Sequence, residues 1–79
     1  MKITVTQQHI DAGVRGSATS DPVSLALKEQ AGWEKAYVNV FGIQNGQIKR
    51  YPLPEGMWEF MYRFDNSLPV EPFEFELEG

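Results

Sequence analysis

Residues 55–78 read EGMWEFMYRFDNSLPVEPFEFELE, and two different periodicities meet inside them. Met57, Phe60, Met61 and Phe64 recur at i, i+3, i+4 and i+7, the apolar stripe of a helix expected over about Glu55–Asn66. On its far side Glu55, Glu59 and Arg63 follow one another at four-residue spacing, the favourable order for helix ion pairs. Ser67–Pro72 is a proline-bounded loop. Phe73, Phe75 and Leu77 then alternate with Glu74, Glu76 and Glu78, which predicts a strand with one apolar and one acidic face. Helix and strand thus share an aromatic core side and hold their charges outward.

Working towards the N-terminus, Pro52 and Pro54 close a hairpin whose first strand is expected over Lys35–Ile43. Asn45-Gly46 is a strong hairpin signal, because both central positions of a type I′ turn need positive φ. That turn sets Ile43 opposite Ile48 and Val40 opposite Tyr51; a bulge near Gly42 would gather Val38, Val40, Ile43 and Ile48 on one face. Asp21 followed by Pro22 starts a helix to about Gln30, with Val23, Ala26, Leu27 and Ala31 inward and Gly32 as its stop. Trp33 is expected to pack over the end of that helix. Gly13–Ser20 is a loop of small and polar residues, and Thr6 caps a short helix over Gln7–Ala12. Ile3 and Val5 alternate with polar residues in an opening strand. The order is β-α-α-β-β-α-β, and the simplest α+β architecture is a four-stranded, mainly antiparallel sheet with helices packed on one face.

Seventy-nine residues make a single domain, 1–79. There is no cysteine, so neither disulfides nor thiolate metal sites staple the fold. Aromatics at 13% give a short chain its core, each buried ring removing about 150–250 Å² from water. The MKITVTQQ start lacks the apolar region of a signal peptide, and no apolar run approaches the roughly 20 residues that span a bilayer. A cytoplasmic protein is expected.

The net charge of −4 is unevenly spread. Residues 1–54 carry a balance of +2, whereas residues 55–79 set seven carboxylates against Arg63 alone, a balance of −6. Direct DNA binding is disfavoured, since neutralising phosphates needs a basic surface. Chemistry is sparse elsewhere. His9, the only histidine, has no cysteine partner and is expected to be an ordinary exposed side chain. The serines and threonines concentrate in Gly13–Ser24 with no base at readable spacing. No calcium-binding loop and no phosphate-cradling glycine motif is present, so neither enzyme, metal nor cofactor is expected.

Two readings fit the acidic residues. Glu74, Glu76 and Glu78 are the solvated face of an edge strand, kept charged against edge-to-edge pairing. Alternatively, carboxylates about 6.7 Å apart, extended by Glu55, Glu59, Glu71 and Asp65, form a row that engages a basic groove built for nucleic-acid phosphates. Trp58 and Tyr62 stand about 100–140° round helix three from the centre of its apolar stripe. They either cover the margin of the core or anchor an interface.

The segments ITVT and HIDAG, the loop leading into DPVSLAL, the YPLP stretch and FMYRFDNSLPVEPFEFEL lie in this order over nearly the whole chain. In them the sequence resembles a family of short phage- and prophage-encoded proteins. Relatives often carry cysteines before the proline-valine pair, where Ser17, Ser20 and Asp21 stand here, so a metal or redox role of that region does not carry over. The resemblance implies no catalytic residues. In size, charge and lack of catalytic motifs the chain is similar to anti-CRISPR inhibitors of type I effector complexes. What this implies is an inhibitor that binds a basic nucleic-acid-binding surface of a host complex through Glu55, Glu59, Glu71, Glu74, Glu76 and Glu78, with Trp58 and Tyr62 as apolar anchors. The rival is a phage accessory or structural protein acting as a homodimer through strand edges or helix three. A third surface, Lys35, Lys49 and Arg50, could instead meet an acidic partner or RNA.

Overall fold

The computed structural model describes residues 1–46 and 49–77. Its elements are β1 (Lys2–Val5), α1 (Gln7–Ala12), α2 (Pro22–Gln30), β2 (Ala36–Asn39), β3 (Gly42–Asn45), β4 (Lys49–Tyr51), α3 (Met57–Asp65) and β5 (Phe73–Glu76). The α+β class holds. The single four-stranded sheet does not: five strands form two antiparallel sheets, β1–β5 and β2–β3–β4.

The difference originates at Asn39-Val40-Phe41-Gly42. The expected strand over Lys35–Ile43 is cut there by a tight turn that pairs Asn39 with Gly42. Asn39 Oδ1 accepts the Phe41 N–H at 2.8 Å, the local bond that lets asparagine mimic a backbone turn. Gly42 sits at φ +145°, and a Cβ at that position would lie 2.4 Å from the Tyr51 carbonyl oxygen, so the turn and the β3–β4 approach both require glycine. The second reversal keeps Gly46 at φ +56° but pairs Asn45 with Lys49, three residues out from the register expected of an Asn45-Gly46 turn. Ile43 therefore faces Tyr51. Val40, expected opposite Tyr51, is exposed at the turn instead. The expected Ile43–Ile48 contact involves a residue outside the described ones.

α2 joins the two sheets. It packs against both β1 and β2, with Val23, Ala26 and Leu27 fully buried beside Ile3 and Val5 of β1 and Val38 and Ile43 of the three-stranded sheet. Met57, Phe60 and Phe64 of α3 and Phe75 and Leu77 complete this core, with Met61 packed at its margin. Trp33 stacks on Tyr51 at 5.5 Å between ring centres, so it serves the β4 side of the core.

α2 starts as its sequence requires. Asp21 Oδ1 accepts the Ser24 N–H at 2.6 Å and Pro22 follows where no donor is needed. The cap is unusual in being only 5% exposed. Burial pushes the Asp21 carboxyl from 3.8 up to about 6, against the Ser24 hydrogen bonds that favour the charge; Asp65 adds a smaller upward push. Between those values the folded chain holds a proton that the unfolded chain has released, so stability falls as the pH rises. The contribution is present in full below the unfolded value of 3.8 and lost as the pH passes through about 6. Asp21→Asn keeps a capping oxygen and does not ionise. Urea denaturation at about pH 4 and about pH 7 is expected to show the wild type losing on the order of 2–3 kcal/mol more than the variant over that interval.

Candidate functional site

β5 is held on β1 with Val5 opposite Phe73 and Ile3 opposite Phe75. This register fixes which face is which: Phe75 and Leu77 are buried, Phe73 is half-buried, and Glu74 and Glu76 are exposed. α3 ends in a Schellman motif, in which Leu68 N–H donates to Arg63 O at 2.8 Å and Ser67 N–H to Phe64 O at 3.2 Å. Ser67 occupies the left-handed position at φ 59°, where glycine is the usual residue. Beyond that reversal, Pro69–Pro72 line one groove together with Glu59 of α3.

The result is an open groove of about 660 Å³ between the exposed flank of α3, the loop and β5. Phe60, Val70 and Phe73 give it an apolar lining with Pro69 and Pro72, and Glu55, Glu59, Glu71 and Glu74 line it together with Arg63. Phe60 and Phe73 meet at 4.6 Å between ring centres, so its floor is part of the core packing. Arg63 Nε lies 3.3 Å from Glu59 Oε1 and Lys2 Nζ 3.5 Å from Glu74 Oε1. Both pairs are exposed and contribute little to stability. Among the described residues no ion pair engages Glu55 or Glu71.

A second groove of about 320 Å³ adjoins the first along β5, lined by Lys49–Pro54 on one side and by Glu76 and Leu77 on the other. Lys49 Nζ sits 4.8 Å from the centre of the Tyr51 ring, and Glu76 lies 4.0 Å from the Met1 amino group. A third hollow of about 170 Å³ is lined by Val40, Trp58, Met61, Tyr62, Asp65 and Asn66.

The eight residues expected to act together are thus divided. Glu55, Glu59, Glu71 and Glu74 share one groove and Glu76 lines its neighbour. Glu78 lies outside the described residues. Trp58 and Tyr62 stack on each other at 5.5 Å on the other flank of α3, because consecutive helical residues are 100° apart and Trp58 cannot share the direction of Glu59. They are not apolar anchors within the acidic groove. Phe60 and Phe73, which floor it, carry no sequence signal beyond core periodicity. Lys49 and Arg50 border the second groove, whereas Lys35 does not line it.

His9 is the other correction. It is only 7% exposed. Its Nδ1 accepts the Thr6 N–H at 2.9 Å, and the Thr6 hydroxyl oxygen accepts the His9 N–H at 3.4 Å, which together form a capping box for α1. With Nδ1 accepting, the ring proton sits on Nε2, 3.0 Å from Glu29 Oε1 on α2. Hydroxyl, imidazole and carboxylate stand in a line, as in a nucleophile relay, but this geometry is that of a helix cap: Nδ1 is already taken by a backbone donor. The short polar turn around His9 hid this role, since its partner Glu29 lies twenty residues away in sequence. The described residues contain no group of three His, Cys, Asp or Glu side chains placed to hold a metal ion, and no helix among them is long and apolar enough to cross a membrane.

Comparison with protein-family models, with curated proteins and with solved structures yields no match.

His9→Ala leaves the Thr6 N–H without its acceptor and cuts the tie between α1 and α2. Chemical denaturation is expected to show a loss of about 1–3 kcal/mol. His9→Gln, which can rebuild the capping box but not the Glu29 contact, is expected to recover part of it.

Proposed function

We propose that this chain is a non-catalytic binding protein whose acidic groove docks on a basic, nucleic-acid-binding surface of a host complex and blocks it. One observation carries the reading. Glu55, Glu59, Glu71 and Glu74 come from the entry to α3, its outer flank, the following loop and β5, yet they line one groove over an apolar floor. A carboxylate-rich rim over Phe60, Val70 and Phe73 suits long basic side chains, whose stems cover apolar surface while their heads meet the acids. The resemblance to phage-encoded proteins supplies the class of target, an anti-CRISPR-like block of a type I effector complex in the host cytoplasm. Electrostatic complementarity of this kind chiefly speeds association and selects partners.

The test is binding to a purified type I effector complex with Glu55, Glu59 and Glu71 all replaced by lysine. All three are exposed, so folding is expected to survive. Affinity is expected to fall roughly tenfold or more and its salt dependence to flatten. Unchanged affinity and unchanged salt dependence would sink the acidic-groove reading.

The homodimer reading is favoured by a separate observation. Phe41, at the tip of the β2–β3 turn, is 79% exposed, and its neighbour Val40 lines the 170 Å³ hollow with Trp58, 55% exposed, and Tyr62, 51% exposed. A knob and a hollow of single-side-chain size on adjoining surface suit an isologous pair, each Phe41 entering the other copy. The reading gives twice the 9.0 kDa chain mass in light scattering, reverting to one chain mass in Phe41→Asp. A wild type that stays monomeric at about 100 µM, where even a weak pair of micromolar Kd would form, rules it out.

A further inference from the structure

We infer that the outward edge of β5 is a docking site for an extended, lysine- or arginine-bearing segment of a partner protein, which adds to the sheet as a strand. The inference rests on the acidic-groove reading and specifies how such a partner is held.

It follows from which backbone groups the fold seals and which it leaves open. Met1 and Leu77 exchange hydrogen bonds, 2.9 Å from the Met1 amino group to Leu77 O and 2.8 Å from Leu77 N–H to Met1 O. In an antiparallel ladder bonded pairs recur every second residue, so Ile3–Phe75 and Val5–Phe73 are bonded pairs too. The backbone groups of Lys2, Thr4, Glu74 and Glu76 therefore point away from the β1–β5 seam. On the β1 side Thr4 is met from within the chain: Gln30 Oε1 accepts the Thr4 N–H at 2.7 Å and Gln30 Nε2 donates to Thr4 O at 2.7 Å. The side-chain amide stands in for a neighbouring strand. No such group meets the backbone of Glu74 or Glu76 among the described residues.

The three-stranded sheet repeats the pattern. Gly46 N–H donates to Lys35 O at 3.1 Å, which makes Tyr37–Gln44 and Asn39–Gly42 the bonded pairs and turns the Val38 N–H outward. There Ala18 O accepts the Val38 N–H at 2.9 Å. On β4 the same alternation sends the backbone of Arg50 outward. β4 and β5 line opposite sides of the second groove. On the edges away from the grooves, Thr4 and Val38 are thus met by other groups of the chain, whereas among the described residues no hydrogen bond reaches the outward backbone of Glu74, Glu76 or Arg50.

Charge selects the occupant. A second copy added antiparallel on β5 brings Glu74 and Glu76 of one chain against those of the other, and like charges directly opposite are destabilising. A strand with basic residues at alternate positions sets them against Glu74 and Glu76, with Glu55, Glu59 and Glu71 further along the first groove. Backbone bonds then give affinity and the alternate side chains give selectivity, as in other strand-addition sites.

The probe is a capped seven-residue peptide of alternating lysine and valine, compared with the same peptide carrying N-methyl groups on all interior amides. Charge and side chains are identical; each interior backbone donor is replaced by a methyl group that cannot join a ladder. By NMR, the unmodified peptide is expected to slow amide exchange at Glu74 and Glu76 at least tenfold and to bind at least tenfold more tightly than the methylated one. Equal, salt-sensitive binding of both peptides overturns strand addition and leaves the acidic groove standing. Binding of neither at millimolar concentration overturns both.

Discussion

The burial of one face of α2 against two separate sheets is the constraint on which the molecule rests. The β1–β5 pair and the β2–β3–β4 meander share no ladder. Val23, Ala26 and Leu27 have no exposed surface, and they contact a core drawn from both sheets. With no disulfide available, a two-stranded sheet gains its stability from such packing, since an isolated pair of strands is marginal in water. Polar bonds fasten the same helix at both ends. Ser24 Oγ donates to Ala18 O at 2.9 Å near its start, and the Gln30 side-chain amide grips Thr4 near its finish.

This arrangement explains a tension in the structure. Asp21 caps α2 from a buried position in which its charge is costly, and Asp65, which adds to that cost, is engaged by the Gly16 N–H at 3.0 Å. Arg15 lies 5.4 Å from the centre of the Phe64 ring, so the loop before α2 rests on the end of α3. The start of α2, the loop and the end of α3 are therefore coupled. The acidic groove lies along the other flank of α3 and β5, where exposed charges cost little. The buried carboxylate that caps α2 and the exposed carboxylates of the groove thus stand in different surroundings.

The separation of acidic and aromatic surfaces bears on function. The two exposed aromatic residues of α3 and its two groove-lining charges, Glu59 and Arg63, are close in sequence and face different directions. The groove lined by Glu55, Glu59, Glu71 and Glu74 and the hollow lined by Trp58, Tyr62 and Val40 are thus two surfaces of different chemistry on one chain. The strand edges sharpen this contrast. Sealing with a glutamine amide or a loop carbonyl is a way of managing unpaired backbone groups, and charged residues on an open edge are another. On the strand-addition proposal, Glu74 and Glu76 disfavour self-pairing there while leaving the edge able to accept a basic strand.

Local periodicity alone determined much of this protein. The Phe–Glu alternation of 73–76 and the Met57–Phe64 stripe placed β5, α3 and the outward direction of the acids, and Asp21-Pro22 placed the start of α2. These features were legible because side-chain direction in a strand or helix follows from its repeat. What the tertiary structure decided were the contacts between residues far apart in sequence. Asn39 and Gly42 broke one expected strand into two, because a side-chain bond to Phe41 and the close approach of Tyr51 outweighed the β-propensity of Val38-Asn39-Val40-Phe41. Glu71 joined Glu59 through a helix-ending turn with serine, not glycine, at its left-handed position. His9 became buried because its partner lies on α2. Which strand edges are closed and which are open was likewise beyond any local pattern. It depends on where Gln30 and Ala18 come to lie, and only packing of the whole chain sets that.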